Sequence, residues 1–227
     1  MFYQVAGAMK LVDRANYCRD KSLAYKDSPQ IIGFGATISA PHMHALALQT
    51  LDLYLPPGGS VLDVGSGSGY LTACFAELLQ SKNRGGSSES QGHVVGIEHI
   101  PELVGWSIAN LELDGKKDYF QVPSAVTSDG QCTAKHALLS IIEGDGYQGY
   151  APGGPYNVIH VGAAVENVPT PLVDQLKPGG CMVVPVGPQG RQEYLKITKG
   201  PDAALEQEII TSVRYVPLTS RRAQLSS

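Results

Sequence analysis

The sequence predicts a doubly wound α/β domain, with a mostly parallel sheet and an antiparallel hairpin at its edge. Three observations predict it. Short apolar runs (SVLDVG, HVVGIEH, ALLSIIEGDG, YNVIHVGAA) alternate with stretches of helical period. Such alternation gives parallel strands joined by covering helices. The first run opens straight into a glycine-rich turn, VLDVGSGSGY, as a nucleotide-binding strand does before its helix. Two strand-like runs follow one another near the end, EYLKITK and LEQEIITSVRYVPL, and read as a hairpin.

The elements follow in order. Residues 2–17 read as a short helix ending in a polar stretch, and residues 21–35 as an extended loop. After Pro41, HMHALALQTLDLYL reads as a helix, because Ala45, Leu48, Leu51 and Leu55 share a face. The breaker Pro56-Pro57-Gly58-Gly59 ends it. SVLDVG is a short buried strand, and the helix through TACFAELLQ follows its glycine turn. Residues 83–92, rich in glycine and serine, read as a flexible surface loop. HVVGIEH is the second strand and PELVGWSIANLEL the next helix. Residues 114–136 carry no clear period. A third strand ends at Glu143, YNVIHVGAA is the fourth, PTPLVDQL is a short helix, and LKPGGCMVVPVG enters another strand before the hairpin. No solenoid repeat is present. The expected organisation is one domain over residues 1–227. Residues 1–44 form an N-terminal extension over the substrate and cofactor, 45–190 the cofactor-binding core, and 191–227 the hairpin and tail.

Composition narrows the function. The chain has 227 residues, 43% hydrophobic and 17% charged, which suits one globular domain. Its net charge is −4, so no basic excess is available to hold a nucleic-acid backbone. Cysteines 18, 74, 132 and 181 form no CxxC pair. That argues against a zinc ribbon and for reduced thiols. Cys74 and Cys181 sit in apolar runs and are expected in the core. No apolar run reaches the roughly 18 residues of a membrane helix, and MFYQVAGAMK lacks the pattern of a signal peptide. A cytoplasmic protein without membrane or nucleic-acid partners is the expectation.

The cofactor site is read from three strand ends. Asp63 ends the first strand, and glycines at 65, 67 and 69 let the turn approach a ligand closely. The spacing G-x-G-x-G departs from the dinucleotide pattern G-x-G-x-x-G. The acid ahead of it would repel a pyrophosphate and attract a cationic amino group. Asp63 is also read as capping backbone amides of the turn, alongside that contact. Glu98 ends the second strand, where an acid accepts ribose hydroxyls. Asp145 and Gly146 follow the third. There an acid accepts from an exocyclic amine, while GDG also needs nothing more than a turn. Together the sites suit an adenosine with a positive, amino-bearing tail and no phosphates, which describes S-adenosylmethionine.

Several stretches carry a closer resemblance: MKLVDRANY, YKDSPQIIGFGATISAPHMHA, LDVGSGSGYLTACFA, GPYNVIHVGAA, LVDQLKPGG, VVPVGP and YVPLT. The chain resembles the class I S-adenosylmethionine-dependent methyltransferases (Rossmann-like), and within them the protein-L-isoaspartate (D-aspartate) O-methyltransferase family, from about Met9 to Thr219. The family usually carries a further helical segment before MKLVDRANY, where this sequence has MFYQVAGA. The resemblance implies an enzyme that uses S-adenosylmethionine, with S-adenosylhomocysteine as product. It would methylate the free α-carboxylate of isoaspartyl and D-aspartyl residues in damaged proteins, starting repair through a succinimide. It implies a monomer. It assigns Ser39 as the catalytic position, and places Ala36, Thr37, Ile38, Ser39, His44, Asp63, Gly65, Ser66, Gly67, Glu98, His99, Asp145, Gly146, Thr219 and Gln224 about the cofactor. The Val161–Ala164 run and the loop at 31–39 would wall a peptide groove.

This chemistry sets the roles. An α-carboxylate has a pKa of about 3.3–3.7, so it is already an anion and needs no general base. A sulfonium brings its own leaving group, so no metal is needed. Orientation and a dry site remain, and Ser39 is read as a positioning donor. His42 and His44 are two residues apart and cannot share a helical face, which argues against a metal site. A nicotinamide oxidoreductase, another methyltransferase and a non-catalytic binder of damaged protein are the alternatives. Asp63 with the glycine spacing disfavours the first, and TISAPHMHA with YVPLT the second. Intact Ser39, Asp63, Glu98 and Asp145 disfavour the third.

Overall fold

The computed structural model describes residues 2–84, 91–119 and 138–225, with backbone alone for residues 2 and 3. Most of the expected loop at 83–92, most of the unassigned stretch at 114–136, and Cys132 lie outside the described residues.

Helix α1 (Phe2–Lys10) stops seven residues before the expected end. A separate 3-10 turn, Arg14–Tyr17, follows, capped by Asp13, which accepts from the Ala15 amide. The cap competes with helix continuation. The expected loop at 21–35 instead holds a second 3-10 turn and the start of a hairpin. In it β1 (Gln30–Gly33) pairs antiparallel with β2 (Ala36–Ile38). Its two-residue loop puts both Phe34 and Gly35 at positive φ, 55° and 69°. Such turns match the twist of a hairpin and favour Asn-Gly or Asp-Gly. Phe-Gly lacks that signature, so the hairpin was not legible.

Helix α2 (Pro41–Asp52) starts on proline at its first turn, where a missing N–H costs nothing. It buries Leu48 and Leu51, and Leu55 lies buried just beyond it. Strand β3 (Ser60–Val64) is buried at every residue. Then come α3 (Tyr70–Asn83), β4 (His93–Glu98), α4 (Pro101–Leu113), β5 (Leu139–Glu143), β6 (Tyr156–Val161), α5 (Thr170–Asp174), β7 (Leu176–Val186), β8 (Gln192–Lys199), β9 (Leu205–Val213) and α6 (Arg221–Gln224). The last helix was not expected. Strand β9 ends at Val213, short of the expected YVPL, and the chain crosses to pair Pro217 with Ala164. Proline has no N–H for a continuing ladder.

The seven-stranded sheet runs β5-β4-β3-β6-β7-β8-β9. Pairs through β7 are parallel, and the last two pairs are antiparallel. Strand order reverses between β3 and β6, and ligands of open α/β sheets bind outside the strand ends at such a point. Alternation along β3 feeds two cores. Val61 joins Leu48, Phe75, Cys74 and Leu103 on the helical face. Leu62 and Val64 join Ile97, Ile159 and Leu172 on the other. Asp63 shares the face of Val61, under α3. Cys18, Cys74 and Cys181 are free and buried.

Candidate active site

Strand β3 delivers Asp63 to the reversal point with 1% of its surface exposed. Its register partner on β6 is His160. One carboxylate oxygen accepts from His160 Nδ1 at 2.8 Å and the other from the Thr72 hydroxyl at 2.6 Å. Among the described residues no turn amide donates to it, so the capping role expected beside the amino-group contact falls to another residue. Glu98 does that job. Its Oε2 accepts from the Gly67 amide at 3.1 Å, and Oε1 from the His99 and Ile100 amides at 2.8 and 3.0 Å. A carboxylate offers about four acceptor sites. Three are used by backbone amides of the protein itself.

The turn adopts the left-handed backbone that its glycines allow, with φ of 74° at Gly65, 53° at Gly67 and 84° at Gly69. Ile97 holds it, its carbonyl accepting from the amides of Gly65 and Ser66. A Cβ placed on Gly65 would meet nothing within 4 Å, so a ligand can lie against bare backbone there. The Ser66 hydroxyl is buried and has no hydrogen-bond partner among the described residues. Such groups carry a desolvation penalty until a ligand or water meets them.

Two adjoining cavities meet at this turn. The larger is lined by Ala36, Thr37, Gly65, Gly67, Glu98, His99, Gly146, Thr219 and Gln224, with Gly162, Ala163 and residues 216–218. The smaller is lined by Ile38, Ser39, His44, Asp63, Ser66, Tyr70 and His160 and shares Thr37, Gly65, Gly67 and Gly162 with the first. Every expected site residue except Asp145 borders one of them. Asp145 is exposed, accepts from the amide of Tyr147 at 3.0 Å as a turn residue, and borders a neighbouring recess with His99 and Thr219.

The smaller cavity is organised from the N-terminal segment. Ser39 is half-buried. Its carbonyl accepts from Arg14 Nη2 at 2.7 Å, and its side chain acts on the ionisation of the Tyr215 phenol. Burial pushes that phenol up to about 12, with Ser39 pulling slightly the other way. His44 is buried, with its ring 5.0 Å from that of Tyr70. Desolvation first, then Arg14, His160 and His42, hold its pKa well below the ordinary imidazole value. His42 points elsewhere and pairs with exposed Asp27 at 2.8 Å. Asp27 also accepts the His42 amide at the start of α2. Among the described residues no cluster could hold a metal ion.

The tail closes the larger cavity. Gln224 bonds His99 Nε2 through its carbonyl at 2.9 Å and donates to the Phe34 carbonyl at 2.9 Å. Arg14, Tyr70, His160 and Tyr215 were missed as site residues. A charge in MKLVDRANY and a histidine inside an apolar strand were the available signals.

A parallel sheet reversed at β3 and β6, a glycine turn at that point and an acid closing β4 define a class I S-adenosylmethionine-dependent methyltransferase. A model of the protein-L-isoaspartate(D-aspartate) O-methyltransferase family matches residues 2–223. Protein-L-isoaspartate O-methyltransferase 1 of Arabidopsis thaliana is 47% identical over 222 residues, covering 98% of this chain and 86% of the relative. The Caenorhabditis elegans enzyme of that name is 44% identical, covering 96% and 85%. A Plasmodium falciparum structure described as this methyltransferase, in complex with S-adenosyl-L-homocysteine, superposes with a TM-score of 0.78 at 32% identity, over 95% of this chain and 90% of that one. The chain belongs to the protein-L-isoaspartate(D-aspartate) O-methyltransferase family.

Proposed function

We propose that the chain transfers a methyl group from S-adenosylmethionine to the free α-carboxylate of L-isoaspartyl and D-aspartyl residues in damaged proteins and peptides. This starts their repair through a succinimide. Besides family membership, the observation that carries the reading is the shared wall of the two cavities. Thr37, Gly65, Gly67 and Gly162 border both, so a nucleoside cavity opens directly onto the one holding Ser39 and His44.

The residues fit the cofactor on three counts. Asp63 has two acceptor sites left for a cationic amino group after Thr72 and His160 are counted. Ser66 offers an unused hydroxyl, and Gly65 leaves the turn bare. Glu98 would take a ribose hydroxyl, and Gly146 and the outer oxygen of Asp145 the adenine edge. The bound cofactor supplies a methyl group on a sulfonium, whose sulfur keeps the bonding electron pair as a neutral thioether. The substrate carboxylate enters as an anion, so no proton moves. The protein's contribution is orientation and exclusion of water. Ser39, fixed through its carbonyl, is the proposed donor to that carboxylate. Residues 1–44 serve as the wall over the site, 45–190 as the core and 191–227 as hairpin and tail.

The same reading makes the protein a cytoplasmic monomer that uses neither nucleic acid nor membrane. A net charge of −4 supports the part concerning nucleic acid, and among the described residues no helix is long and apolar enough to span a bilayer.

The test is methyl transfer from labelled S-adenosylmethionine to two peptides of one sequence, one isoaspartyl and one normal aspartyl. Base-labile label on the isoaspartyl peptide alone is expected. Equal label on both would defeat the substrate assignment. Ser39→Ala should lower kcat by about ten- to a hundredfold with the fold intact, and wild-type turnover would remove Ser39 from its role.

A further inference from the structure

Arg14 lies 25 residues before Ser39, yet its guanidinium sits beneath the site with 3% of the residue exposed. Nε donates to the Ala24 carbonyl at 2.8 Å, and Nη2 donates to the Ser39 carbonyl at 2.7 Å. Nη1 faces His44 Nδ1 at 3.2 Å. The plane also lies against the Tyr70 ring, 5.2 Å from its centroid. All three arms of the fork are therefore engaged.

A guanidinium donates only and does not lose its proton in proteins. The contact to His44 requires a lone pair on Nδ1. A neutral imidazole with Nδ1 as acceptor carries its proton on Nε2. Among the described residues Nε2 has no hydrogen-bond partner, and His44 borders the smaller cavity beside Ser39, Asp63 and Ser66.

We propose that Arg14 is a positioning residue that fixes His44 as the Nε2–H tautomer and pins the Ser39 carbonyl in the same grip, so that His44 and Ser39 present adjacent donors to a carboxylate. The inference rests on the methyl-transfer reading of this site. It gives the cavity a neutral donor against an anion that must stay nucleophilic. An imidazolium would neutralise that anion by ion pairing and slow its attack. The groups facing His44 are Arg14 from the 3-10 turn, Tyr70 from α3, His160 from β6, His42 from its own helix, and Asp63 across the cavity. Burial and Arg14 both oppose a second proton on the ring.

Two carboxylates meet in such a reaction, the substrate's α-carboxylate and that of the cofactor's methionyl tail. The variants Arg14→Lys and Arg14→Ala distinguish them. A lysine keeps the charge and loses the fork. Loss of grip on the substrate carboxylate raises the KM for the isoaspartyl peptide and leaves the Kd of S-adenosylhomocysteine unchanged. Loss of grip on the cofactor carboxylate weakens S-adenosylhomocysteine and spares its decarboxylated analogue. Either pattern, with kcat/KM down on the order of 100-fold and partly restored in Arg14→Ala by added guanidinium ion, supports the proposal. Wild-type kcat/KM in both variants overturns it. Nitrogen NMR of histidine-labelled wild-type protein reads the tautomer without requiring any variant to fold. A pyrrole-type Nε2 and a pyridine-type Nδ1 for His44 at neutral pH are expected. A proton on Nδ1, or an imidazolium, overturns the proposal. That spectrum needs no turnover, so an enzyme silent on isoaspartyl peptide but carrying Nε2–H would fail the activity reading alone.

Discussion

Ser66 shows how a single side chain separates binding from folding. Its hydroxyl is buried beside the cofactor turn without a partner among the described residues, so no protein group there offsets its desolvation. Replacing a lone buried polar group by an apolar one is neutral or stabilising. Ser66→Ala should leave the stability of the ligand-free protein unchanged or raise it by up to about 1 kcal/mol. The same change removes a donor from the cavity shared with Ser39 and Asp63. Affinity for S-adenosylhomocysteine should then fall by roughly fivefold, the equivalent of one hydrogen bond of about 1 kcal/mol. Calorimetric titration beside thermal denaturation reads both numbers. A destabilised variant with unchanged affinity would mean that the hydroxyl serves the turn and not the ligand.

The hairpin β1–β2 is the element that composition hid and function uses. It carries Ala36, Thr37 and Ile38 to the cavity walls, and Arg19 holds it by donating to the Ile32 carbonyl at 3.1 Å while lying 4.1 Å over the Trp106 ring. Its loop places Phe34 at a φ of 55°, a conformation costing most non-glycine residues about 1–2 kcal/mol and Asn less. Phe34 is 36% exposed, so the burial lost on replacement offsets part of that strain. Phe34→Asn restores an Asn-Gly turn and keeps the carbonyl that accepts from Gln224. The expected gain is roughly 0.5–1 kcal/mol in urea denaturation at constant m. A rise in KM for isoaspartyl peptide in the same variant would show that the ring is retained for substrate at the expense of turn stability. A lower stability would mean that the ring packs more than its exposure suggests.

At the scale of the molecule, the sequence disclosed where the chain leaves the sheet and concealed what meets there. Asp63, Glu98 and Gly146 were legible because each lies near or just beyond the carboxyl end of an apolar run, where a strand hands the chain to its turn. Their partners were not, because Asp63 meets His160 across 97 residues and Gln224 meets Phe34 across 190. No local period encodes such separations. The same long-range closure buries His44 against Arg14 and makes acid stability a property of the whole fold. An imidazole in the unfolded chain takes its proton near pH 6.5, whereas the buried ring resists it. Below that pH the unfolded state binds more protons, so stability increases with pH across the window. The contribution of neutral His44 is therefore complete above about pH 6.5. It is lost as the pH falls toward the depressed folded value, at up to about 1.4 kcal/mol for each pH unit. Carboxylates elsewhere act on the wild type and on His44→Gln alike, so the difference between their urea midpoints isolates the ring. The variant is expected to be less stable at pH 8 and to lose less on acidification to pH 5.5, so that the two curves converge. Parallel curves would mean that His44 titrates alike in the folded and unfolded chain, and that the fold does not hold the ring neutral.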